Sequence, residues 1–475
     1  MRWLVLVCLV ACASEDLGET RLKQIALQVP GAPDAVQGWY DSELRTDCSP
    51  ALASDGVLRC LPPPAAFAGG LGFFRDASCS GMLYTTSTCE PSPSVLYARR
   101  MLAAGDECTP RYEVVRLVSE EQDLRTATLY RAHGLPDGSS ACRAVRDQTV
   151  DAFRADLNRL RVWREAEVVP AERWVALSAP RRGVGTPAMM FDVGEDGSEL
   201  PSAPVDASGT PCRPVAYEQG GFCLAREGMA DPRSYADEAC SVPLYFEVKR
   251  DWCQPDRPPE LLLEESGSCD APLRGARFLH VAAPASRVFL GSAEGCRGLP
   301  PAPRPHYTKG AERAPSSLTR LALRREGSGR LQALSLYNDA GELIAIDRYW
   351  DQELGIACRA ERLGTDQYAC LPLTLAIDGS SSSDCAQTVL NPSCAEHAPG
   401  ALVRVTTRSE VVCPGVFVRR LGARLEDGPL FVQWDQPGQC SPYSGWGPDD
   451  ARQARFSAGD ELPLARFATL QRVLR

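Results

Sequence analysis

The sequence predicts an all-β chain with a threefold internal repeat, folded as a disulfide-rich six-bladed β-propeller, or alternatively as three tandem cystine-rich β domains. Three observations carry this reading: the spacing of the cysteines, the frequency of turn residues, and an opening strand that occurs four times. Eighteen of the 20 cysteines fall into three sets of six. The first is Cys48, Cys60, Cys79, Cys89, Cys108 and Cys142; the second is Cys212, Cys223, Cys240, Cys253, Cys269 and Cys296; the third is Cys358, Cys370, Cys385, Cys394, Cys413 and Cys440. Internal gaps are similar from set to set, as expected of a repeated unit closed by disulfides in an oxidising compartment. The 39 glycines and 38 prolines break the chain often, as many short strands require.

The two cysteines outside the pattern lie at the start. Met1-Arg2 supplies a positive charge, Trp3 to Val10 is apolar, and Leu9-Val10-Ala11 precedes Cys12. This resembles the lipobox of bacterial lipoproteins, in which cleavage before the cysteine leaves that residue as the acylated N-terminus. The resemblance implies a signal peptide over 1–11 that takes Cys8 with it, a lipid anchor at Cys12 and a lipidated tether over 12–21. The apolar run is far short of the roughly 20 residues of a spanning helix, whereas two or three acyl chains give a lasting membrane hold. Ala13 stands where an inner-membrane retention signal has Asp, so the expected address is the outer membrane, periplasmic or surface-exposed.

After the tether, the sequence divides into β repeats over 22–145, 171–300 and 318–448. A helical insertion or linker occupies 146–170, a Pro-rich linker 301–317, and a C-terminal segment with a closing strand 449–475. The closing strand rests on Pro463-Leu-Ala-Arg-Phe467-Ala-Thr-Leu470, which repeats the openings Pro170-Ala-Glu-Arg-Trp174-Val-Ala-Leu177 and Pro315-Ser-Ser-Leu318-Thr-Arg-Leu321; Leu22 to Val29 opens the first repeat. A fourth opening strand completes a sheet begun elsewhere and removes exposed edges. Gln148 to Glu165 reads as a helix, because Val150, Phe153, Leu157 and Leu160 follow a 3.6-residue period. In the third repeat, strands are expected over 319–325, 331–337, 342–350, 355–360, 366–371, 401–407, 411–420 and 430–434.

Local motifs recur as well. Trp39-Tyr40-Asp41-Ser42-Glu43-Leu44 and Tyr349-Trp350-Asp351-Gln352-Glu353-Leu354 each precede a first cysteine by the same distance. Asp55-Gly56 before Cys60 and Gly220-Gly221 before Cys223 are hairpin chemistry, placing the first two cysteines of a set on facing strands. Phe74-Arg-Asp76-Ala-Ser-Cys79 matches Tyr235-Ala-Asp237-Glu-Ala-Cys240. Pairing of neighbours, first with second, third with fourth and fifth with sixth, is the simplest of the fifteen connectivities of a set. Together with the lipobox, these motifs resemble those of a family of cysteine-rich exported proteins of myxobacteria. The resemblance implies export and repetition and transfers no catalytic residue.

The chemistry-bearing residues are sparse. Net charge is -10, so a nucleic-acid partner is not expected, and the positive charge is nearly all arginine, with lysine only at Lys23, Lys249 and Lys309. His133, His280, His306 and His397 stand apart from one another, no hydrolase elbow or phosphate loop occurs, and neither metal nor cofactor is expected. Asp192, Glu195, Asp196 and Glu199 do not alternate as calcium ligands do, and a hairpin turn accounts for them. Tyr443, Trp446, Asp449 and Asp450 form a possible ligand loop, since aromatic platforms beside carboxylates suit a glycan or protein ligand. Asp41/Glu43 and Asp351/Glu353 are paired acids, but their occurrence in two repeats favours a structural role. No catalytic residue is assigned. The expectation is therefore a membrane-anchored binding or structural lipoprotein at the cell surface; the alternative is an exported hydrolase of polysaccharide or protein, with its site at a propeller mouth.

Overall fold

A computed structural model describes residues 20–63, 73–79, 82–87, 96–102, 110–120, 123–134, 140–145, 150–151, 153–154, 157, 160–217, 220–247, 258–264, 276–292, 295–299, 305–363, 367–380, 388–392, 398–406, 416–425, 431–433, 440–442 and 455–475. The chain is all-β. Its first part holds β1 (Leu22–Gln28), β2 (Ala35–Asp41), β3 (Thr46–Leu52), β4 (Leu58–Leu61), β5 (Phe73–Phe74), β6 (Leu83–Ser87), β7 (Leu96–Met101), β8 (Tyr112–Ser119), β9 (Leu129–Gly134), β10 (Ser140–Val145) and β11 (Leu160–Val169). The second holds β12 (Leu177–Arg182), β13 (Ala188–Gly194), β14 (Glu199–Val205), β15 (Cys212–Tyr217), β16 (Gly220–Ala225), β17 (Glu227–Tyr235), β18 (Pro243–Glu247), β19 (Leu261–Glu264), β20 (Arg277–Pro284), β21 (Val288–Ser292), β22 (Gly295–Leu299) and β23 (Tyr307–Glu312). The third holds β24 (Thr319–Glu326), β25 (Leu331–Tyr337), β26 (Leu343–Asp351), β27 (Ile356–Arg362), β28 (Gln367–Pro372), β29 (Leu375–Ser380), β30 (Thr388–Pro392), β31 (Leu402–Thr406), β32 (Val416–Leu425), β33 (Phe431–Gln433), β34 (Cys440–Pro442) and β35 (Arg455–Leu462), and β36 (Thr469–Leu474) follows.

Pairing order makes the structure repeat-like. The orders β6-β11-β8-β7, β18-β23-β20-β19 and β30-β35-β32-β31 correspond strand for strand, as do β10-β9-β5, β22-β21-β17 and β34-β33-β29. The remaining strands form a twelve-stranded sheet, β15-β16-β24-β25-β26-β27-β28-β36-β1-β2-β3-β4, and a three-stranded sheet, β12-β13-β14. These sheets do not divide into the six four-stranded blades of the expected propeller. One sheet instead runs through all three parts, so backbone hydrogen bonds join them, as the tandem-domain alternative would not.

The fourth opening strand, β36, lies between β28 and β1, with Gln471 opposite both Gln367 and Gln28. Short 3-10 turns over Ala171–Arg173, Pro315–Ser317 and Leu464–Arg466 stand ahead of β12, β24 and β36. Proline at the start of each presets the backbone angle that such a turn needs. The chain leaving each turn then meets a second cysteine: Cys60 N–H donates to Val175 O at 3.0 Å, and Cys370 N–H to Ala468 O at 2.9 Å.

The small sheet touches both edges of the large one through single bridges, Arg59 to Ala176 and Val205 to Pro211. Pro204 and Pro211 have no amide proton, so the β14–β15 seam cannot form the three-residue pairing seen between β2 and β3. Turns also interlock the three parts. Leu22 N–H donates to Asp196 Oδ2 at 2.8 Å, Thr186 N–H to Asp339 Oδ1 at 2.7 Å, and Ser328 N–H to Pro30 O at 3.2 Å. Three apolar cores lie across these contacts. One joins Leu22, Trp39 and Cys48 to Val175 and Leu200; another joins Met189 and Cys212 to Leu321 and Leu336; the third joins Leu27 and Val29 to Leu331 and Cys358.

Each such core holds one hairpin bridge, Cys48–Cys60, Cys212–Cys223 or Cys358–Cys370, all with Cα atoms 5.3 Å apart. The pairing of first with second cysteine is therefore as expected, but the pairings of third with fourth and of fifth with sixth are corrected in the first two sets. Cys79 bonds to Cys142 and Cys240 to Cys296, third with sixth. Sheet order decides this, because β22 pairs with β21 and β21 with the end of β17, which carries Cys296 up to the turn before Cys240. Cys89, Cys108, Cys253, Cys269, Cys385, Cys394 and Cys413 lie outside the described residues, and Cys440 lies in β34 with its side chain undescribed.

The helix expected over Gln148 to Glu165 is also corrected. Helical backbone is described only at Val150, Asp151, Phe153 and Arg154, and from Leu160 the chain is strand β11, between β6 and β8. Val150, Phe153 and Leu160 do enter one core with Phe73 and Leu129. A short apolar period does not separate helix from strand by itself, and here tertiary pairing won.

Candidate functional site

The acidic motifs are turns. Asp41 Oδ1 accepts from the amides of Glu43 and Leu44, both at 3.0 Å, and Arg21 grips the same fully buried carboxylate while also reaching Glu43 at 2.9 Å. Asp351 repeats this with Glu353, Leu354 and Arg330. Both acid pairs are thus held by arginine forks, an arrangement that closes a hairpin. The second part, which lacks the Trp-Asp signature, has a different aspartate turn ahead of its first cysteine. Asp206 Oδ1 accepts from the amides of Ser208 and Thr210 at 2.8 and 2.9 Å.

The stretch from Asp192 to Glu199 is likewise occupied. Asp196 Oδ1 accepts from Ser198 Oγ at 2.7 Å, and Glu199 faces Arg181 at 2.6 Å. Burial raises the Asp196 pKa, but the hydrogen bonds from Leu22 and Ser198 outweigh it and hold the group below its ordinary value. The Arg181 hydrogen bond lowers Glu199. Among the described residues, no three His, Cys, Asp or Glu side chains converge as metal ligands.

One polar network occurs twice with its charges exchanged. Tyr84 Oη donates to Glu165 at 2.8 Å, and Arg100 pairs with Glu165 at 3.0 Å and with Glu113. At the corresponding positions Tyr245 donates to Glu264, which pairs with Lys309 at 2.8 Å and Arg277 at 3.5 Å. Burial and the carboxylate beside it raise each phenol. A site that survives inversion of every charge is holding strands together; a proton-transfer role would need the same signs in both.

Two cavities remain as candidate sites. The larger, about 600 Å³, has an apolar floor of Leu124, Leu160 and Trp163 and a charged rim that includes Asp123, Arg125 and Arg161. The Trp163 indole N–H is already donated to Thr86 at 2.8 Å. The second, about 390 Å³, lies over β21 and β22, with Val288, Phe289, Gly298 and Leu299 beside Glu238, Ser286, Arg287 and His306. Both volumes fall within the roughly 300–1,000 Å³ of small-ligand sites. The sequence signalled neither, because each collects residues from separate strands. Tyr443, Trp446, Asp449 and Asp450, and the anchor residue Cys12, lie outside the described residues. So do His397 and the His133 side chain.

No protein-family model matches the chain, no curated protein is similar to it, and no solved structure matches its fold. No helix among the described residues is long and apolar enough to cross a membrane. The five described bridges mark a protein of an oxidising, extracytoplasmic compartment, and a disulfide-rich β body of this kind is compatible with a structural or binding role there.

Proposed function

We propose that this protein is an exported lipoprotein, tethered to the outer membrane through acylated Cys12, whose rigid β body presents binding loops and cavities at the cell surface. We place it with the cysteine-rich exported proteins of myxobacteria that its motifs resemble, and read the interlocked sheets as a closed ring of three β units. The observation that carries the binding reading is the bracing of the interior. Each core between neighbouring parts holds a hairpin disulfide, and β36 fills the gap between β28 and β1, so the surface is carried on a fixed frame. Preorganised surfaces of this kind lower the ordering cost of binding. A hydrolase would need carboxylates free to exchange protons, and the paired acids Asp41/Glu43 and Asp351/Glu353 are instead held by Arg21 and Arg330.

Metabolic labelling with a palmitate analogue tests the anchor. The native protein is expected to take the label and fractionate with the outer membrane, and Cys12→Ser to appear unlabelled in the soluble periplasmic or secreted fraction. Equal labelling of both forms would refute it.

A further inference from the structure

The smaller cavity carries one cation and one anion on its lining. Several arginines of the chain are committed to acids, as in Arg181–Glu199, Arg213–Glu227 and Arg277–Glu312. Arg287 and Glu238 both line this cavity, yet among the described residues neither makes an ion pair or a side-chain hydrogen bond. The turn before Cys240 carries Glu238, the β20–β21 connection carries Arg287, and the Cys240–Cys296 bridge secures the surrounding frame.

The same lining includes the apolar residues Val288, Phe289 and Leu299. Phe289 lies opposite Gly298 in register, and a Cβ at Gly298 would stand only 3.5 Å from Phe289 Cε1. Glycine at that position therefore adds no side chain over the ring, whose remaining exposed edge lines the cavity. Val288 and Phe289 are buried, while Leu299 is an exposed apolar residue at the margin. A guanidinium fork suits a carboxylate, a glutamate suits an ammonium group, and an apolar floor suits the hydrocarbon between them.

We propose that this cavity binds a short peptide by its free amine and free carboxylate, with Glu238 taking the amine, Arg287 the carboxylate and Phe289 supporting an apolar side chain. The inference rests on the binding reading above and is independent of the anchor. A protein that takes the palmitate label but ignores peptides keeps the one and loses the other.

The test is calorimetric titration of the full exported chain, in detergent, with the dipeptide Ala-Phe, its N-acetyl form and its C-terminal amide. Ala-Phe is expected to bind, and each capped form to bind about 10-fold more weakly, the scale of one charge-assisted contact at a partly exposed site. Glu238→Gln should erase the penalty of acetylation alone, and Arg287→Gln that of amidation alone, as coupled pairs do in a double-mutant cycle. Gly298→Val should abolish binding by covering Phe289. Both charged residues are exposed, so unchanged melting temperatures are expected and would confirm that the variants fold. Equal binding of capped and uncapped dipeptides would overturn the proposal. So would heat-silent titration with Ala-Phe, binding indifferent to both charge substitutions, or uptake of glucuronate in place of the dipeptide.

Discussion

Gln24 and Arg475 exchange two backbone hydrogen bonds, Arg475 N–H to Gln24 O at 3.0 Å and Gln24 N–H to Arg475 O at 2.7 Å. Side chains extend the junction: Arg475 pairs with Asp34 and Arg472 with Asp47, each at 2.7 Å. Strand β36 therefore fastens two segments that are far apart in the chain, and its loss would leave β28 and β1 as open edges.

Removal of residues 463–475 is accordingly expected to lower the melting temperature sharply. Gln471→Pro should do much of the same damage, at about 3 kcal/mol or more, because proline interrupts a strand paired on both sides. Thermal unfolding followed by circular dichroism checks both; an unchanged transition would mean that β36 is an ornament of the sheet.

Non-reducing peptide mapping should recover Cys79–Cys142 and Cys240–Cys296, and no bridge between sets. Replacing Cys48 and Cys60 by alanine is expected to cost about 3 kcal/mol, the scale of closing a loop of this length.

The charge-exchanged networks invite a swap. Glu165→Lys alone puts a second positive charge beside Arg100 and removes the acceptor of Tyr84, and should destabilise by about 1–2 kcal/mol, moderated by the partial exposure of Arg100. Adding Arg100→Glu and Glu113→Arg reproduces the signs found around Tyr245 and should restore most of the loss. Chemical denaturation of the three proteins measures this; failure of the triple variant to recover would point to a specific need for Glu165.

Acid should loosen the Asp196 contact with the first part and the Glu199–Arg181 pair within the second. Asp196 and Glu199 have pKa values held below their ordinary ones, so the stability they contribute is full above the unfolded carboxylate value of about 4 and is lost as pH falls through the folded values. Asp196→Asn should lower stability at neutral pH and flatten this acid limb. Melting temperatures across pH 2–7, roughly the carboxylate range, provide the comparison.

Much of the frame was readable in the chain. The hairpin bridges follow from cysteines flanking turn residues, and the strands over 331–337 and 367–372 from their apolar runs. Other features were hidden because their cause is not local. Asp206 organises a turn of its own ahead of Cys212 with no Trp-Asp signature, Leu160 to Glu165 carries a periodicity that suits two conformations, and the second cavity brings Glu238 and Arg287 together from separate connections.

By itself the sequence determined an exported, disulfide-braced β chain with a recurring unit, since cysteine spacing, turn chemistry and apolar periodicity act within a few residues of one another. The tertiary structure alone decided that one sheet would run through all three parts, that third cysteines would meet sixth, and that one arginine and one glutamate would face a shared cavity unpaired. Those outcomes depend on which strand edges find each other, and strand pairing is settled by the whole set of competing edges and cores.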